Sequence, residues 1–346
     1  MTGTEREPAL LSAETVADYL VVRGVFDDAR GVEARELGGG VSNVVLVARG
    51  GDRRVVVKQA LPRLRVEDEW MAKRERAITE AEALRLTGRL SPGTVPDVLD
   101  VDQDACALTI TAAPDGWENW KQRLLEGNVD PNIATCLGNL LAAVHTATAH
   151  DPEVADAFGD LEAFEQLRVK PYHRTIMHRL PAISTAVDAY VRRMRSTRVC
   201  LVHGDYSPKN VLVGDGLWVI DFEVAHYGDP AFDVAFMLNH LLLKRLHCPQ
   251  ALDELDVCVE SFWNAYADMS TVCPSVAYAI GHVGCLMVAR VDGKSPAEYL
   301  TEAEREIARR IGSQLLLDPP DQIVEVLAFV ERTAAELAPS RSGEPR

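Results

Sequence analysis

The pattern of apolar and polar positions changes period part of the way along the chain. Up to about residue 111 it favours strands. Ala34 to Val47 reads as strand, glycine-rich turn and strand, and Arg54–Val55–Val56–Val57–Lys58 follows as a third run. Val95 to Val101 and Ala105 to Thr111 read as two more. Two helices interrupt this series. One is expected from Leu10 to Val22, with Ser12 as a possible cap; the other runs from Ala72 to Leu86, with Ala77, Ala81 and Leu84 as its apolar stripe and Ile78 beside it.

From Asp115 onward the pattern turns helical. Ile133, Leu137, Leu140, Leu141 and Val144 fall on one helical face. His145 ends that stripe and reads as structural. Residues 151 to 199 and 251 to 337 read largely as helices. Between them lies one compact exception: Val211–Val213 and Leu217–Ile220 flank Gly214–Asp215–Gly216, a hairpin with matching turn chemistry. Strands concentrated early and helices late give an α+β chain.

Composition alters this picture little. The chain has 346 residues and a formal net charge of −16, which argues against a nucleic-acid partner. No apolar run is long enough to span a bilayer, so no membrane partner is expected. The seven cysteines form no C-x-x-C pair and read as reduced core thiols. With no leader pattern, the expectation is a cytoplasmic protein.

The chemistry concentrates on the hairpin. His203–Gly204–Asp205 precedes it, Asn210 stands at its mouth, and Asp221 follows its second strand. Two carboxylates and an amide oxygen at one end of a rigid element suit a hard cation such as Mg²⁺, which shares oxygen ligands with phosphates. Gly38–Gly39–Gly40 could let backbone approach a phosphate, with Ser42 and Asn43 as side-chain donors.

His203, Asp205 and Asn210 also fit H-x-D-x-x-x-x-N, and Asp221–Phe222 fits the start of D-F-G. In these motifs the chain resembles the aminoglycoside phosphotransferase and choline kinase branch of the protein-kinase-like superfamily. It has a more distant similarity to methylthioribose kinases through Asp221-x-Glu223 followed by Tyr227–Gly228 and Phe232–Asp233. The resemblance implies a two-lobed fold: a nucleotide-binding N-lobe over 1–113, a mainly helical C-lobe over 114–338, and a disordered tail over 339–346. It implies ATP and Mg²⁺ as cofactors. Asp205 would be the catalytic base, and Asn210 and Asp221 the metal ligands.

The remaining roles are also carried by the resemblance. Gly39, Gly40, Ser42 and Asn43 would meet the phosphates, and Lys58 would neutralise them. Glu80 would pair with Lys58, ahead of Glu82 and Glu75. The backbone from Thr111 to Ala113 would read adenine. His203 would brace the catalytic loop and Asp233 would clamp it. Lys209 is a further candidate for reaching a phosphate. Glu223, Arg290 and Asp292 are candidates for the acceptor, and Glu223 also for a second metal.

Only eleven residues separate Asp221 from Asp233, too few for a peptide-docking activation segment. A small-molecule hydroxyl acceptor is therefore expected: an aminoglycoside, amino sugar or related polyhydroxylated metabolite, with choline-like, ethanolamine-like or methylthioribose-like acceptors as alternatives. A nucleotide-binding pseudokinase sensor is the competing class, opposed by the intact Lys, Asp, Asn and Asp set. A metal-dependent hydrolase fails on the number of histidine ligands.

Overall fold

The computed structural model describes residues 9–38, 42–65 and 72–337. The expected phosphate contacts of Gly39 and Gly40, and the expected tail, lie outside these residues. The chain packs as two compact units that interleave in sequence. The first comprises the chain through Glu118, together with Asp160–Leu167 and Asn210–Ala225; the second comprises the rest. The sequence-based boundary at 113/114 thus falls near the end of the first segment, but two later segments return to that unit.

The first unit is built on five antiparallel strands: β1 (Glu33–Glu36), β2 (Asn43–Gly50), β3 (Arg53–Ala60), β4 (Val98–Asp102) and β5 (Ala107–Thr111). Their order is β1-β2-β3-β5-β4. Strand alternation divides the residues of β2 and β3 cleanly. Val44, Leu46, Ala48, Val55 and Val57 pack with Val16 and Leu20 of α1 (Val16–Val22). Lys58 follows Val57 and so takes the opposite face, paired across the ladders with Val45 and Leu108.

Helix α1 begins at Val16 rather than near Leu10, because Thr15 and Val16 donate their N–H groups to the Ser12 carbonyl in a preceding turn. Helix α2 (Arg76–Leu90) buries Ala77, Ala81 and Leu84 as expected, whereas Ile78 is half-buried. The hairpin strands β6 (Val211–Val213) and β7 (Leu217–Val219) pair Val211 with Val219 and Val213 with Leu217.

The second unit is helical. Helix α3 (Pro131–Ala147) starts with proline at its first position and the Asp130 carboxylate accepting from Asn132 N–H. Helices α4 (Pro181–Ser196), α5 (Ala231–His247), α6 (Leu252–Met269), α7 (Val276–Asp292), α8 (Glu302–Leu317) and α9 (Ile323–Leu337) follow. Helix α6 packs on α3, and α7 packs on α5 and α8. At Gly284 a Cβ would lie 2.4 Å from the Leu316 nitrogen, so glycine permits the close approach of α7 to α8.

Five cysteines are buried free thiols, as expected; Cys136, on the solvent face of α3, is exposed and Cys273 half-buried. Among the described residues no helix is long and apolar enough to cross a membrane.

Candidate active site

A cavity of about 290 Å³ opens on the Lys58 face of the sheet. Its apolar walls include Leu37, Val45, Val56, Ile110, Leu212 and Ile220. Its polar end holds Lys58, Glu80, Asn210 and Asp221, with Ser42, Asn43, Thr111 and Ala113 also on its lining. An apolar slot ending in charge suits a flat base joined to phosphates.

Lys58 Nζ donates to Glu80 Oε1 at 2.7 Å and to Asp221 Oδ1 at 2.6 Å. Of Glu75, Glu80 and Glu82, Glu80 is therefore the one that meets Lys58. Burial alone would push the Lys58 ammonium down, but the Asp221, Glu80 and Glu223 carboxylates outweigh it and hold the pKa above its ordinary value. Glu80 moves the other way from a simple ion pair. Burial raises its carboxyl, Lys58 opposes that, and Asp221 and Glu223 raise it further.

Asp221 has φ of 72°, left-handed backbone that a non-glycine residue adopts at a cost. That cost is borne just after β7, where the Ile220 N–H donates to the Asn210 carbonyl and closes the hairpin mouth. Asn210 and Asp221 so line one cavity and present an amide and a carboxylate beside the Lys58 cation. This oxygen donor set fits Mg²⁺ shared with phosphate. Among the described residues no group of three or more His, Cys, Asp or Glu could hold a metal by itself.

Four expected residues are occupied differently. Glu223 has both carboxylate oxygens committed: Oε1 accepts from Ser42 Oγ at 2.8 Å, and Oε2 accepts from Asn43 Nδ2 at 2.9 Å and Arg76 Nε at 3.0 Å. It fastens Ser42 and the start of β2 to Arg76 of α2 rather than standing free for an acceptor or second metal. The same bonds engage the Ser42 and Asn43 side chains. Asp292 is bound by Arg309, with Nε at 2.7 Å and Nη2 at 3.0 Å, which withdraws it from acceptor binding.

The backbone expected to read adenine is partly used. Thr111 N–H donates to Asp97 O at 2.9 Å, and the Ala113 carbonyl accepts from Arg54. The Ala113 N–H has no partner among the described residues.

The helical unit holds the other cluster. Strand Cys200–Val202 leads into His203–Gly204–Asp205, and Gly204 has φ of 77° at the sharp turn. Asp233, wholly buried on α5, accepts from His203 N–H at 2.6 Å and Gly204 N–H at 2.8 Å. Burial would raise its carboxyl, but the bond from His145 and the charges of His145 and His203 hold it below the ordinary range.

His145 also meets Tyr266 Oη at 2.9 Å and is a structural brace. His203 Nδ1 accepts from Asp205 N–H at 3.1 Å. Asp205, almost fully buried, is ion-paired with Arg168 and with Lys209, each at 2.8 Å.

Sequence reasoning missed Arg76 and Arg168. Arg76 sits four residues before Glu80 on the buried face of α2; that spacing was available as a signal. Arg168 lies in the π-helical stretch Glu165–Arg174, whose register no 3.6-residue pattern discloses.

The model of a family described as a phosphotransferase enzyme family matches residues 33–269. A protein named methylthioribose kinase from Yersinia pseudotuberculosis serotype IB (strain PB1/+) is 26% identical over 386 aligned positions, covering 92% of this chain and 95% of that relative. One of the same name from Citrobacter koseri is 28% identical, covering 74% of each. Among solved structures, an amicoumacin kinase in complex with AMP-PNP and Ca²⁺ has a TM-score of 0.52 at 12% identity, covering 85% of this chain and 91% of that one. A spectinomycin phosphotransferase in complex with ADP has a TM-score of 0.50 at 13% identity, covering 93% and 99%. The protein-kinase-like fold follows from these likenesses and from the sheet and helical units described above.

Proposed function

Because the chain belongs to the phosphotransferase enzyme family, we infer that it is an ATP-dependent small-molecule kinase that phosphorylates an acceptor hydroxyl. The observation that carries this reading is the Lys58–Glu80–Asp221 constellation, set with Asn210 at the charged end of an apolar cavity.

The adenine would lie along the apolar walls, with Ala113 N–H as a free backbone donor. Lys58, held by Glu80, would meet the phosphates. Asn210 and Asp221 would hold Mg²⁺, which offsets phosphate charge when bound. Asp205 would align the acceptor hydroxyl and receive its proton as the acceptor oxygen bonds to the γ-phosphorus. The bond from that phosphorus to the β–γ bridging oxygen breaks, and ADP leaves with the bridging oxygen. Arg168 and Lys209, each 2.8 Å from its carboxylate, would hold Asp205 in place for this task. Catalysis so arranged is mainly positioning and charge stabilisation.

The acceptor class is a small polyhydroxylated compound, which includes aminoglycosides, amino sugars and methylthioribose; choline-like amines are the alternative. The curated relatives named methylthioribose kinase support that class. A coupled ADP-release assay with Mg²⁺-ATP and a panel of these acceptors tests the reading. Acceptor-dependent ADP from the wild type but not from Asp205→Asn supports it. ADP formed at the same rate without acceptor contradicts it.

A further inference from the structure

The helical unit gathers three cations, two of which have no counter-ion among the described residues. Lys244, in the last turn of α5, is wholly buried, and its Nζ reaches only the His240 carbonyl, 3.3 Å away and one turn back. Among the described residues no carboxylate lies within ion-pair distance of it. Its Nζ stands 5.5 Å from the centre of the Tyr299 ring, and Lys121 Nζ stands 5.8 Å from the same centre.

Arg290, on α7, gives Nη1 to the Ser295 carbonyl and hydroxyl, while its Nε is buried without a partner among the described residues. Among the described residues only Lys121 of these three cations meets a carboxylate, that of Glu298. A buried unpaired ammonium is costly, and the partial negative charge at the end of α5 offsets less than a full counter-ion would. Lys244 accordingly has its pKa pushed down to about 7, by burial and then by Lys121 and Arg290.

This cluster continues from the reacting groups. Arg168, ion-paired with Asp205, lies 5.9 Å from the Phe236 ring and 6.0 Å from the Tyr172 ring. Phe236, His240 and Lys244 occupy successive turns of one face of α5. The Tyr172 phenol is influenced by Arg290 as well as by Arg168, Asp205 and Lys209. A protein with formal charge −16 thus gathers positive charge on one face of α5, about two turns on from the Phe236 ring that Arg168 approaches.

We propose that the acceptor bears an anionic group, a carboxylate or a phosphate, which Lys244, Arg290 and Lys121 bind while a hydroxyl of the same molecule is presented to Asp205. The inference rests on the kinase reading for the hydroxyl and on the cation cluster for the anion. It runs against an acceptor of amino-sugar type, which would bring further cations to a place already crowded with them.

The test uses calorimetric titration of the full chain with four probes: ribose 5-phosphate, gluconate, ribose and kanamycin. Two variants accompany the wild type. Lys244→Met replaces the buried ammonium with an apolar chain of similar length. Lys121→Ala alters a partly exposed residue whose loss does not endanger folding. Ribose 5-phosphate or gluconate is expected to bind the wild type at least about tenfold more tightly than ribose, and both variants are expected to lose about tenfold for it. Preference between the two anionic probes separates phosphate from carboxylate.

The proposal is overturned if neither anionic probe binds at millimolar concentration. It is also overturned if ribose or kanamycin binds as tightly as the anionic probes, or if the variants bind those probes unchanged. Anion binding lost in the variants, with no phosphoester formed on any probe by Mg²⁺-ATP, leaves the anion site standing and removes the kinase reading. Phosphorylation of ribose or kanamycin that neither anionic probe inhibits does the reverse.

Discussion

Two buried lysines make the instructive comparison. Lys58, in the sheet unit, lies between two carboxylates at 2.7 and 2.6 Å and is held protonated. Lys244, in the helical unit, is equally hidden, has a backbone carbonyl for company, and is pushed toward neutrality. Burial disfavours both charges, and the neighbours decide the outcome. A lysine already neutralised by the protein is fixed in place before any ligand arrives. A lysine left without an anion has electrostatic interaction in reserve for a ligand that supplies one.

Replacing Asp205 gives the largest expected effect on turnover. Asp205→Asn removes the proposed proton acceptor and should lower kcat by about 10²–10⁴-fold, with little change in nucleotide affinity by titration. Lys58→Met comes next and breaks the balanced region directly. It leaves Glu80 and Asp221 without their cation, and unfolding measurements should show a loss of about 3–5 kcal/mol at neutral pH. The sign of the pH dependence is fixed, because the Glu80 carboxyl is already raised in the folded state. Its ionised form is the disfavoured one, so part of the lost stability should return as the pH falls and Glu80 protonates.

Lys244→Met sharpens the contrast, because the same change should leave stability unaltered or raise it by a few degrees in Tm. Wild-type Lys244 has a folded pKa of about 7, below that of an unfolded lysine. Between those two values the unfolded chain binds more protons, so the residue makes stability rise with pH. The groups setting that value are Lys121 and Arg290, which lower it, and Cys248 and Glu298, which raise it. Thermal scans from pH 7 to about pH 10 should show the variant's advantage shrinking as pH rises. The smallest effect belongs to Asp292→Asn. It removes a partly exposed pair with Arg309 and should cost about 1 kcal/mol or less, with kcat and KM unchanged in steady-state kinetics.

The sheet, the hairpin and the long α3 stripe were legible because their apolar periods are local. Lys58 was legible for the same reason: alternation along one strand puts it opposite Val57. Glu80 was carried by the family resemblance, which implies a helix glutamate to pair with the strand lysine. Glu223 was read as a residue of interest, but its chemical type could not show that Ser42, Asn43 and Arg76 already hold it. Those partners lie more than a hundred residues away.

Arg168 was hidden by a π-helical register. Lys244 was hidden by its position. In Leu241–Leu242–Leu243–Lys244–Arg245 a cation near a helix end reads as a routine match to the dipole. Only the packing of α5 reveals that it is buried and unpaired.

The phosphorus NMR spectrum of the wild-type protein incubated with Mg²⁺-ATP and acceptor tests the central claim most directly. The account predicts that a phosphomonoester resonance grows in equal amount with ADP, and that it is lost in Asp205→Asn. Growth of inorganic phosphate in place of the ester would contradict it.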